Sequence, residues 1–194
     1  MTVETRFLTA DHIALQGAGY EPQRSANFTL QVVGLPGSTG GSGDDGPETI
    51  LRLSLREVPI PFVKLETTEV PYGNEVRYVP GKAKVAAVTF KFNDFVDVDV
   101  ARILTNWLDL VYKPSTGVMG LAKDFKKSAT VTRFAPDGTL ERKWNLFGLY
   151  PTMVDPGSGS MESSDVVQIS VEFSVDKVIY AGNATTGSSN LVVA

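Results

Sequence analysis

The chain has one histidine, His12, and no cysteine. Thiol nucleophiles, disulfides, zinc–thiolate sites and His/Cys metal clusters are therefore ruled out. A Ser-His-Asp relay would have to recruit His12 from an N-terminal arm. Carboxylates gather in two places. Asp44, Asp45 and Glu48 follow a spacing that matches no EF-hand calcium loop. Asp94, Asp97 and Asp99 stand just before an apolar periodic segment, where capping a helix explains them better than paired acid–base work. The Gly-rich run GSTGGSGDDG lacks the Gly-Lys-Ser/Thr ending of a phosphate loop and leads into a segment read as a strand. Lys123, Lys126 and Lys127 form a basic spot read as a solvated rim. No enzyme, cofactor or metal is expected.

Bulk properties point the same way. The 194 residues include 18 basic and 22 acidic side chains, a formal charge of −4, and 42% are hydrophobic. That suits one domain with a real core. Net negative charge gives no counterion-release gain on nucleic acid, so specific binding is disfavoured. A surface that nucleic acid passes without sticking remains compatible. No apolar run follows a basic N-terminal segment, and none approaches the roughly 20 residues of a membrane helix. A soluble intracellular product folded in a reducing compartment is expected.

The elements that would position functional groups read as mainly β. Residues 1–27 form an arm, 28–181 a single β-barrel domain, and 182–194 a Gly/Thr/Ser tail. FTLQVVGL from Phe28 is a first strand, and residues 36–49 are a Gly-rich loop. ILRLSLR, residues 50–56, alternates and reads as a strand with Leu51, Leu53 and Leu55 on one face. The Pro-punctuated 62–82 stretch reads as a projecting loop or irregular hairpin. KVAAVTFKF, residues 84–92, is a further strand. Within 97–112, Val100, Ile103, Leu104, Trp107, Leu108 and Val111 form one apolar stripe at helical spacing, capped by Asp97 or Asp99. Trp107 and Trp144 read as core residues.

The stretch from Lys123 to Tyr180 carries most information. Ser128–Phe134 and Thr139–Phe147 flank Asp137-Gly138, a strong hairpin signal because such turns need positive φ. A "GLYPT" corner follows, then a closing strand with Val167, Ile169, Val171, Phe173 and Val175 on one face. Its other face bears Gln168, Ser170, Glu172 and Ser174. That face either meets bulk water or lines a hydrophilic passage.

In order, KDFKKSATVTRF, FGLYPTMV and SSDVVQISVEFSVD resemble the tail tube protein of contractile-tailed bacteriophages. So do VTFKFND with its Trp107 helix and LREVPIP before the Pro-rich excursion. Tyr150 replaces the tryptophan that usually precedes the corner proline, here Pro151. The resemblance covers roughly residues 50–180. It implies a β-sandwich or barrel with one packed helix that forms hexameric rings stacked into a hollow tube. The tube holds a tape measure protein, is wrapped by a sheath, meets baseplate and terminator proteins, and conducts DNA into the host without binding it specifically. No membrane is involved, and the site is a virion tail assembled in host cytoplasm. On that reading Gln168, Ser170 and Glu172, with Glu141 and Asn145 behind them, line the lumen. Tyr72, Arg77 and Tyr78 make subunit contacts, since Tyr and Arg are enriched in interfaces. The alternative is the tube of a related contractile injection or type VI secretion system. A carbohydrate-binding β-sandwich ranks lower, because it needs an exposed aromatic platform and the aromatics read as mostly core.

Overall fold

A computed structural model describes residues 25–37, 46–136, 138, 140–159, 161 and 165–182, with backbone only at 140 and 141. His12, Asp44, Asp45, Asp137 and the tail from residue 183 lie outside the described residues.

Strand β1 (Phe28–Val33) alternates Leu30 and Val32 into the interior with Thr29, Gln31 and Val33 outward. The next segment departs from the sequence expectation. Residues 50–56 do not form a strand; helix α1 (Pro47–Ser54) is followed by the three-residue strand β2 (Leu55–Glu57). Pro47 occupies the first helical turn, where its missing N–H costs nothing, and Glu48 sits at the positive helix end. Leu, Arg and Glu all favour helix. Leu51 and Ser54, three apart, are buried, whereas Leu53 is 68% exposed. The Ser54 hydroxyl donates to the Leu51 carbonyl at 3.2 Å, so its burial leaves no orphan. Glu48 ties the helix to β1 by accepting the Gly34 N–H at 2.7 Å.

The Pro-punctuated stretch is a regular antiparallel hairpin, β3 (Val63–Tyr72) and β4 (Glu75–Val85), turning through Gly73 at φ +59°. It ends at Val85, so the expected 84–92 strand is split: β5 (Val88–Asn93) is separate and buries Val88, Phe90 and Phe92.

Helix α2 (Val100–Val111) starts where Asp99 accepts the Arg102 N–H at 2.7 Å. Asp94 accepts the Val100 N–H at 3.3 Å, so two of the three aspartates hold the helix start. Val100, Leu104 and Trp107 are fully buried, and the Trp107 indole donates to the Phe125 carbonyl at 2.8 Å. Burial of each such side chain is worth about 1.5–3 kcal/mol. A small hairpin, β6 (Tyr112–Lys113) and β7 (Val118–Met119), and the short α3 (Ala122–Phe125) lead back to the sheet.

Strands β8 (Lys127–Phe134), β9 (Leu140–Asp155), β10 (Gln168–Ser174) and β11 (Lys177–Tyr180) complete it. The order is β1-β8-β9-β10-β5-β2, with β11 also on β9, every pairing antiparallel. Within one chain this is a curled sheet with two free edges, not a closed barrel. Strand β9 joins the two halves. Its first part pairs β8 and β11, and its last part pairs β10.

The bend falls at the GLYPT corner. Gly148 has φ +68°, and a β-carbon there would overlap the Asp176 carboxylate, so only glycine fits. The Asp176 N–H donates to the Phe147 carbonyl at 3.0 Å, and its carboxylate pairs with Lys126 at 2.6 Å. Tyr150 stands beside this point, edge-on to Phe125 at 5.2 Å. Behind the corner, Phe173 packs on both Phe90 and Trp107 at ring distances of 5.0 and 5.4 Å.

Candidate assembly surfaces

The closing strand separates its side chains by face. Ile169, Val171 and Phe173 in β10, and Val175 after it, are buried in the core, whereas Val167, expected with them, is 43% exposed just before the strand begins. Register places Thr89, Lys91 and Asn93 of β5 opposite Glu172, Ser170 and Gln168, and Met153 and Asp155 of β9 on the other side. This makes a polar face in which Lys91 is neutralised by Glu57 at 2.8 Å. Arg52 and Arg56, once expected on one strand face, do not join it. Arg52 sits on α1, and Arg56 lies at a cavity between the sheet edges.

Gln168, Ser170 and Glu172 are therefore brought together, and Asn145 is not among them. Asn145 lies in the first half of β9, accepting the Thr130 hydroxyl at 3.3 Å and paired in register with Ile179. Position 141 falls in the same half, and the Glu141 side chain lies outside the described residues.

The β3–β4 hairpin is almost wholly exposed along both strands. At its base the Ala86 N–H donates to the Phe62 carbonyl. Cross-strand register puts Tyr72 opposite Glu75 and Val70 opposite Arg77 on one face. Glu69 faces Tyr78 and Pro71 faces Val76 on the other. The three residues expected to act together are thus divided, Tyr72 with Arg77 and Tyr78 behind them. Tyr72 and Tyr78 are 66% and 64% exposed, so the aromatics are not mostly in the core as expected. The two tyrosines do not form one platform, because they point to opposite faces.

The other expected groups have local partners. Lys126 serves Asp176 and lies 5.8 Å over the Tyr150 ring. Among the described residues no group of three or more His, Cys, Asp or Glu could hold a metal ion, and no helix is long and apolar enough to cross a membrane.

No protein-family profile and no curated protein matches the sequence. Solved structures do match. A chain of the PVC extracellular contractile injection system sheath/tube terminator superposes with TM-score 0.61 at 19% identity, covering 82% of this chain and 96% of its own. The PVC sheath-tube complex gives 0.57 at 18%, covering 91% and 99%. The anti-feeding prophage tube terminating cap gives 0.58 at 13%, covering 94% and 99%. The fold is that of contractile-system tube proteins. In this tube fold, the curled sheet, the packed α2 and the projecting hairpin are the features that the covered length spans. The sequence missed one surface of the tube fold, the cavity where Arg56 and Arg133 meet. The two are 77 residues apart in sequence and carry no shared motif.

Proposed function

We propose that the chain is a structural, non-catalytic subunit of the inner tube of a contractile tail or injection machine. The carrying observation is the match over nearly the full length of chains from sheath–tube and terminator assemblies, 96% and 99% of those chains. A curled sheet with two free edges supports the reading, because such edges call for a partner strand. Copies form hexameric rings that stack into a hollow tube, with Gln168, Ser170 and Glu172 toward the lumen and the hairpin bearing Tyr72, Arg77 and Tyr78 toward neighbouring subunits. Sheath, baseplate, terminator and tape measure proteins are the expected partners.

Two cargoes follow from this reading. In a phage tail assembled in the host cytoplasm the lumen conducts DNA, and a polar wall whose Lys91 is already paired does not trap phosphates. The second reading is the tube of an extracellular injection system, favoured by the PVC and anti-feeding prophage titles of the structural matches. Negative-stain microscopy of the purified chain tests the shared claim. Hollow tubes or six-fold rings are expected, and a compact monomer at high concentration would overturn it.

A further inference from the structure

The two free edges of the curled sheet belong to β1, which pairs only with β8, and β2, which pairs only with β5, among the described residues. A cavity of about 340 Å³ lies between them, lined by Phe28, Arg56, Val58, Val131 and Arg133, with Ser25 and Ala26 at its rim. Glu57 also reaches it, but that carboxylate is held by Lys91. Arg56 has no ion-pair partner among the described residues. Arg133 lies 5.7 Å over the Trp144 ring, which fixes the guanidinium without neutralising it. Two unneutralised guanidiniums above an apolar floor fit a carboxylate flanked by apolar side chains.

The chain itself carries such a surface. One face of the β3–β4 hairpin sets Glu69 opposite Tyr78 and Pro71 opposite Val76. Tyr78 and Val76 are 64% and 51% exposed, and Glu69 has no ion-pair partner among the described residues, whereas Glu66 is taken by Lys84. The other face of the hairpin carries Arg77, which the slot would repel.

We infer that the slot between β1 and β2 receives the Glu69–Tyr78 face of the hairpin of a second copy. The Glu69 carboxylate sits between Arg56 and Arg133, and Tyr78 and Val76 pack on Phe28, Val58 and Val131. The inference rests on the self-assembly reading above. Donor and acceptor surfaces differ, so the contact is head-to-tail and generates rings when the rotation closes. It also covers both free edges of the sheet.

A chain without cysteine allows a clean test. V58C and Y78C are introduced into separate chains, which are mixed under mild oxidation. A disulfide-linked heterodimer is expected, and T68C, on the opposite hairpin face, should give little. Adding R56E to the V58C chain, or E69R to the Y78C chain, should cut the yield roughly tenfold or more at low salt. Combining both reversals should restore it, a rescue that misfolding cannot mimic. No V58C–Y78C product, or no rescue, would overturn the inference. So would a V58C/Y20C chain that closes an intramolecular bridge in place of the heterodimer, because residues 1–24 would then fill the slot. Tubes by microscopy without the cross-link would sink this contact alone. The cross-link without tubes would sink only the tube reading.

Discussion

At the scale of single residues, the most constrained position is Gly148. Its φ of +68° and the Asp176 carboxylate leave no room for a side chain. Gly148→Ala combines a left-handed backbone penalty of about 1–2 kcal/mol with overpacking of about 1–3 kcal/mol. Chemical denaturation should show a loss of about 2–5 kcal/mol, and an unchanged midpoint would mean that the corner relaxes freely. Trp107 behaves differently, because it fills space and satisfies the Phe125 carbonyl. Trp107→Ala should cost about 3–5 kcal/mol by the same measurement. Asp99→Ala removes one capping bond and should cost about 1 kcal/mol. Asp99 and the Trp107 stripe were legible in the sequence, since capping and helical periodicity are local. The Gly148–Asp176 contact was not, because it joins residues 28 apart whose meeting depends on the strand pairing.

Elements were read correctly where one periodicity fitted, and misread where two did. ILRLSLR satisfies strict alternation, yet Ile50, Leu51, Ser54 and Leu55 also satisfy helical spacing. Pro47 and Glu48 at the N-terminus and the burial of Leu51 against the core decided for α1. The 62–82 stretch looked irregular because of its prolines. Pro71 and Pro80 are tolerated in a two-stranded ribbon, where each strand has a free edge. A hairpin this exposed contributes little to the core. Replacing residues 66–78 by a Gly-Asn turn should leave the thermal midpoint within a few degrees of wild type and abolish assembly in sedimentation velocity. Normal assembly by the shortened chain would remove the hairpin from the interface.

For the whole molecule, the sheet is curled but open, and its outer face is polar around Ser170 and Glu172. If exposed charge pairs such as Glu69 with Arg56 hold copies together, salt should loosen the assembly. Raising ionic strength from 0.05 to about 0.5 M shrinks the Debye length severalfold, and the tube fraction should fall accordingly in pelleting assays. Assemblies indifferent to salt would show that apolar contacts carry the interface. The sequence by itself determined the β-rich class, the helix with its Trp107 stripe, the 128–147 hairpin and the two-faced β10 strand. All of these rest on neighbours close in the chain, where turn chemistry and periodicity act. Only the tertiary structure decided that residues 47–54 are helical, that β9 bends at Gly148 to join two half-sheets, and that Arg56 meets Arg133 between free edges. Those outcomes depend on which strands pair over long separations, and burial settles that choice for the whole chain at once.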